Sequence, residues 1–485
     1  MKNFIKNHLA KCIYTMFFLV VATPVFASEL FIGISTVDIT PPLPVSLDGQ
    51  MRLRVADEVE TPLTASVVAL ENIKGTESQI SIWVAMELVV ITDRLKEMIL
   101  DAVKQKIPGI DTEKIIINAT HTHTGPTTRE GNFILPNDIT TIDETLKFLT
   151  EKVVTAISQA WDSREPGSVS WGIGQSKLAT NRRAVYYDGS SRMYGKTDLP
   201  EFRGLEGVED HDVNLLFFWD ATDKLLATVI NVACPAQEVE GRSSINADFW
   251  HPVREKLREK LGEELVILGW IGAAGDQSPH LMFGNQAEDR MLKLRNLDRL
   301  EELARRIVTT VLDVYQVVEN DRYKDVELIH EVKRVKLPKR WVTLEAVNEA
   351  KRTISDLEKL DEETKLRQYR LLKWHGALLE RYEKQSQNPD ETYDVDIHLV
   401  KLGDVVICTN PFELFTEYGI RIKARSKALQ TFVVQLVGGG TYLPTMEAVR
   451  GGHYSAIIQS TEVGPEGGDI LVEETVRGIH QLWEN

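Results

Sequence analysis

The sequence predicts an α/β protein of mixed α+β character, a large single body whose mixed sheets are covered by helices. Three observations predict it. Short β-branched runs alternate with segments of helical period from one end of the chain to the other. No Pro/Ser/Gly-rich linker, repeat or low-complexity tract divides the chain. The residues that can carry chemistry fall at strand ends and in the loops after them, where sites of layered folds collect.

In order along the chain, 30–34, 65–70, 80–85 and 114–117 read as strands, with a helix over 92–106 between the last two. A second helix covers 143–161, where apolar residues recur at helical spacing, and 169–174 returns to strand. Residues 213–219 and 225–232 form a strand pair around Asp220-Ala-Thr-Asp223. Asp248 caps a helix running to Leu261, and 265–270 is a buried strand entering Gly272-Ala-Ala-Gly-Asp276. One long helix is predicted over about 289–315, and a highly charged helical insertion over about 342–386, as two helices packed on the outside. A hairpin turns over Gly403-Asp404. A helix over 412–427, a strand over 431–437 and a closing helix over 470–483 complete the order.

The start of the chain reads differently. Lys2, Lys6 and Lys11 precede an apolar run at 13–22, too short to span a bilayer, and Val25-Phe26-Ala27 follows with small residues at −3 and −1. This predicts a cleaved signal peptide over 1–27, a mature body over 28–485, and a secreted or periplasmic protein with no transmembrane segment. The first 27 residues hold three of the 56 basic residues and none of the 72 acidic ones, so the remainder has net charge −19. That balance argues against nucleic acid and anionic membrane as partners. Cys12 leaves with the signal, and Cys234 and Cys408 are expected to be separate and buried.

The most informative stretch is Asn118-Ala-Thr-His-Thr-His-Thr-Gly-Pro126, directly after Ile115-Ile116-Ile117. His121 and His123 are two residues apart, so extended backbone points both imidazoles to one side, at a strand end that can hold a metal or move protons. Ser278 sits in Gly275-Asp-Gln-Ser-Pro279, as a turn residue or, with a base nearby, a nucleophile. Glu413 follows Asn410-Pro-Phe, as a carboxylate starting a helix or as a hard oxygen ligand. Tyr442 and Tyr454 lie in glycine-rich loops, as packed residues or as hydroxyls for a metal or an oxyanion.

Taken together, these motifs resemble the catalytic N-terminal domain of the neutral/alkaline (non-lysosomal) ceramidases, secreted zinc amidases that cleave the N-acyl bond of ceramide. The resemblance runs from about Leu30 to Tyr454 and includes Ile32-Gly-Ile-Ser-Thr-Val-Asp-Ile-Thr-Pro41 and Asn181-Arg182. It implies zinc ligands at His121, Glu413 and Tyr442, and active-site roles for His123, Arg182, Ser278 and Tyr454. The family's second zinc histidine is missing. Asn231-Val-Ala-Cys-Pro-Ala-Gln237 stands in its place, and Cys234, Gln237 and His251 are the candidate replacements. The chain stops just past the catalytic region, so the family's C-terminal β-sandwich is expected to be absent.

The expected function is metal-activated hydrolysis of an amide, with Zn2+ as cofactor and an N-acyl lipid or glycan-derived small molecule as substrate. Two alternatives stay open on the same scaffold. One is glycan hydrolysis using carboxylates such as Asp248, Asp276 or Glu413. The other is a binding protein that has lost its metal.

Overall fold

A computed structural model describes residues 28–484. The signal peptide predicted over 1–27 lies outside the described residues. The main sheet has eight strands in the order Val266–Ile271, Leu225–Val232, Asp212–Asp220, Glu165–Gln175, Glu29–Asp38, Thr64–Lys74, Glu77–Met86 and Ile115–Ala119. A four-stranded sheet, ordered Leu328–Pro338, Thr392–Leu402, Val405–Thr409 and Gln430–Val434, packs on it. Between them lies an apolar layer that includes Ile32, Trp83, Trp270, Val400, Ile407 and Phe432. Burying such side chains stabilises the fold by about 1.5–3 kcal/mol each before entropy is counted.

The sequence shows no repeat, yet the backbone repeats one unit three times. Each unit has three antiparallel strands, then a helix, then a fourth strand parallel to the third. A last helix in each packs back on the first two strands: Ile142–Asp162, Arg299–Val318 and Pro465–Leu482. What repeats is the pairing pattern and the order of elements, not the residues, which is why the sequence hides it.

This topology positions the site. Within a unit the first, third and fourth strands run in one direction, so the links leaving them emerge at one rim. The three rims meet. The amide of Ala119 donates to the carbonyl of Leu436 (3.4 Å), and that of Gln435 to the carbonyl of Ile271 (3.0 Å). Each unit also carries its excursion between strands one and two: residues 39–63, 176–211 and 339–391.

Three predicted helices differ. The one expected over 289–315 is two, Asn285–Arg295 and Arg299–Val318. Asn296 ends the first in a left-handed conformation (φ 53°), and Asp298 with Glu301 closes a capping box on the second. The helix expected from 412 begins at Thr416, because Glu413–Leu414 pairs as a short parallel strand with Tyr442–Leu443. The charged segment forms three helices, Leu344–Glu358, Glu362–Arg367 and Tyr369–Gln387, rather than two.

Candidate active site

The strand Ile115–Ala119 is fully buried and delivers the two histidines to the rim. Extended alternation is not what brings them together. His121 turns into the left-handed region (φ 65°), and the two rings then meet edge to face at 4.8 Å. Their Nε2 atoms are 3.2 Å apart.

The His121 imidazole is oriented through its other nitrogen. His121 places Nδ1 2.7 Å from the carbonyl of Val89, so Nδ1 carries the proton and Nε2 keeps its lone pair. That Nε2 is 3.4 Å from Oε2 of Glu413. His123 places Nδ1 3.2 Å from Oε2 of Glu240. Burial pushes the His123 imidazole down to about 4, with Glu240 pulling the other way, so the ring is neutral near pH 7.

Arg182 sits behind these groups, only 2 % exposed. It donates to the carbonyl of Gly275 (2.9 Å), the hydroxyl of Tyr442 (3.2 Å) and Oε1 of Gln237 (3.3 Å). A guanidinium only donates, so the Gln237 oxygen must face it. The amide nitrogen of Gln237 therefore faces Nε2 of His123, at 2.8 Å. The result is a hydrogen-bonded chain from Arg182 through Gln237 to His123, with Glu240 facing the far ring nitrogen as a charge at 3.2 Å and not as an aligned acceptor.

Glu413 and Tyr442 are strand partners, which sets them side by side. Burial works against the Glu413 anion, but His121, Arg182 and Tyr442 hold its carboxyl at about 2. Burial, then Glu413, pushes the Tyr442 phenol well above its ordinary value. The rings of Tyr442 and Tyr454 meet edge to face at 5.5 Å, and Trp374 packs against Tyr454 at 5.8 Å with its plane tilted by 44°. His121, His123, Glu413, Tyr442 and Tyr454 all line one cleft of about 740 Å³. The helices Leu344–Glu358 and Tyr369–Gln387 form its opposite wall, so the charged segment is more than an outer layer.

Other predicted residues lie elsewhere. Ser278 is fully buried, and its Oγ accepts from Tyr194 (3.0 Å) and from the amide of His280 (3.1 Å). Cys234 belongs to the apolar cluster with Phe249, Trp250 and Val253, and burial raises its thiol well above the ordinary range. His251 is on the helix Trp250–Leu261 and does not line the cleft. Asp248 does not cap that helix; it accepts from the amides of Phe249 (2.8 Å) and Val239 (2.9 Å). Asp276 accepts from Thr416 and Asn181 and is likewise outside the cleft lining. Of the three carboxylates named for glycan chemistry, only Glu413 lines the cleft.

The sequence alone does not point to Glu240, Tyr194, Arg129 or Arg370. A carboxylate three residues after Gln237 was the one available signal for Glu240. Arg370 lies in a segment whose charges read as solvated.

The donor set suits a divalent cation at three positions: an imidazole with its tautomer fixed, a carboxylate that stays ionised, and a phenol. Among the described residues, no three His, Cys, Asp or Glu side chains form a metal-holding group, so the set depends on Tyr442 as third donor. Gln237 meets His123 and Arg182 with both ends of its amide, and Cys234 is in the core, so neither stands ready as a fourth ligand.

No family profile matches the chain, and no curated protein matches it. Solved structures do. A neutral ceramidase from Pseudomonas aeruginosa superposes with a TM-score of 0.68 at 17% identity, covering 95% of this chain and 75% of that one. The chain has the neutral ceramidase fold. A ceramidase complexed with C2 gives 0.67 at 16% identity, over 95% of this chain and 76% of the other. The neutral ceramidase likeness thus extends over nearly all of the described body. No helix among the described residues is long and apolar enough to cross a membrane.

Proposed function

We propose that this protein is a metal-dependent hydrolase that cleaves an amide (N-acyl) bond, as neutral ceramidases do, and that it acts after export. The observation that carries the reading is the gathering of His121, Glu413 and Tyr442, from two strand-end loops of one repeat and one of another, on a single cleft. The first 27 residues, with their signal-like pattern, support secretion or a periplasmic location.

His121, Glu413 and Tyr442 would hold the ion, most simply Zn2+. When bound, such an ion supplies Lewis acidity and a water of lowered pKa. The chain's own groups do the rest. Neutral His123, its Nε2 lone pair held by the Gln237 amide and its Nδ1 facing Glu240, lines the site beside His121 and fixes the arrangement of donors around the ion. Arg182 fixes the Tyr442 hydroxyl and the Gln237 amide, and its charge favours negative charge developing nearby. Tyr454 and Trp374 form an aromatic wall for the acyl part of the substrate.

A panel of N-acyl lipids, acyl amino sugars and oligosaccharides, assayed with zinc and with chelator, tests this. Zinc-restored cleavage of an amide is expected. Zinc-independent cleavage of an oligosaccharide contradicts it.

A further inference from the structure

We propose that the cleft takes an amide whose one end carries a compact anionic group, such as a carboxylate or sulfonate, held by Arg129 and Arg370. This inference rests on the hydrolase reading for the word amide, and on separate residues for the anion.

Asp48 is 1% exposed and lies behind two guanidiniums. Arg129 grips it through Nε and Nη2, both at 2.8 Å. Arg370 stands 3.8 Å from the same carboxylate and donates Nη1 to the carbonyl of Gln50 (2.5 Å). Burial disfavours the Asp48 anion, yet the two arginines hold its carboxyl well below the usual range. One carboxylate is thus set against two fixed cations, which leaves one positive charge over.

That surplus faces the cleft. Arg129 and Arg370 line it, and Asp48 does not. Among the described residues, Nη1 of Arg129 and both Nε and Nη2 of Arg370 have no acceptor. None of these nitrogens is sealed from solvent without a partner. They are therefore open donors on the cleft wall, in a fork geometry that matches a carboxylate or a tetrahedral oxyanion. Arg370 and Trp374 are one helical turn apart on Tyr369–Gln387, so the cation and the aromatic wall belong to the same helix face.

Other charges do not cancel the surplus. Glu413 is matched by Arg182, whose field reaches it. Glu358, Glu380 and Lys373 are exposed at the mouth, where water screens them. Arg370 is anchored by the Gln50 carbonyl and lies over the Phe133 ring at 5.6 Å, which holds its guanidinium in place while Nε and Nη2 stay available to a ligand.

The test uses the full zinc-supplemented chain and three probes of equal acyl length: N-octanoylglycine, N-octanoyltaurine and N-octanoylethanolamine. Cleavage is read as kcat/KM, and binding by calorimetry on Glu413→Gln. The anionic probes are expected to exceed the neutral one by about tenfold or more in both readouts. Arg370→Gln, which leaves the Asp48–Arg129 pair in place, is expected to bring that ratio close to one, and Arg370→Lys to keep part of it. Whichever anion ranks first supports the site and names its group. Equal binding of all three probes, or a ratio unchanged in a folded Arg370→Gln protein, overturns the proposal. Anionic probes that bind through Arg370 and are never cleaved sink the hydrolase reading and leave the anion site standing. Cleavage with no anionic preference does the reverse.

Discussion

Gln237 donates its amide to Nε2 of His123 across 2.8 Å while its oxygen accepts from Arg182 at 3.3 Å. The segment 231–237 is thus a rigid link between a cation and an imidazole. Both ends of the amide are committed, and both partners are buried. The link fixes which His123 nitrogen carries a proton.

Gln237→Ala is expected to free His123 and Arg182 together. Loss of such an orienting group typically costs about 10–100-fold in activity or metal affinity. Stability should fall by about 1–3 kcal/mol, because buried donors are left without partners. Amide-hydrolysis kinetics and a denaturant melt check the two halves separately.

Cys234 is expected to be inert. Its thiol is in the core, where burial disfavours the thiolate. Cys234→Ala should leave zinc stoichiometry unchanged and lower stability by about 1 kcal/mol. In the native protein the thiol should resist alkylation until the chain unfolds. Loss of bound zinc in this variant would reinstate Cys234 as the fourth ligand.

Asp248 makes a pH prediction with a definite sign. Burial raises its carboxyl to about 7. An unfolded aspartate titrates near ~3.9. Between those values the folded chain keeps a proton that the unfolded chain has lost, so this group's contribution to stability falls as pH rises through the window. Asp248→Asn cannot titrate, and its amide NH2 would oppose the amide of Val239, now 2.9 Å from the carboxylate. The variant should therefore be less stable than the parent at pH 4, with the gap narrowing towards pH 8. Thermal midpoints of both proteins across that range check it.

Much of the site was legible because it is local. His121, Glu413 and Tyr442 each follow a β-branched strand that ends in Gly, Pro or Asn, and punctuation of that kind exposes side chains at a rim. The alternation of strands and helices likewise announced an α/β body. The rest needed contacts that no window of sequence contains. The helical period after Glu413 concealed a two-residue strand whose partner, Tyr442, is 29 positions away. Asn296 broke a helix that its apolar spacing would have continued. Arg370 looked like one charge among many on a solvated helix, and only packing against the Asp48 loop turned it toward the cleft. The threefold unit was invisible because strand pairing, not residue identity, is what repeats.

The most direct measurement is zinc binding by metal-free, folded protein, read by calorimetry and by elemental analysis after gel filtration. Wild type is expected to take up one ion per chain, with Glu413→Ala and His121→Ala each losing it while retaining their fold. A folded wild-type chain that binds no divalent ion, or a Glu413→Ala chain that binds it as well as wild type, would contradict the grouping of His121, Glu413 and Tyr442 as a metal centre.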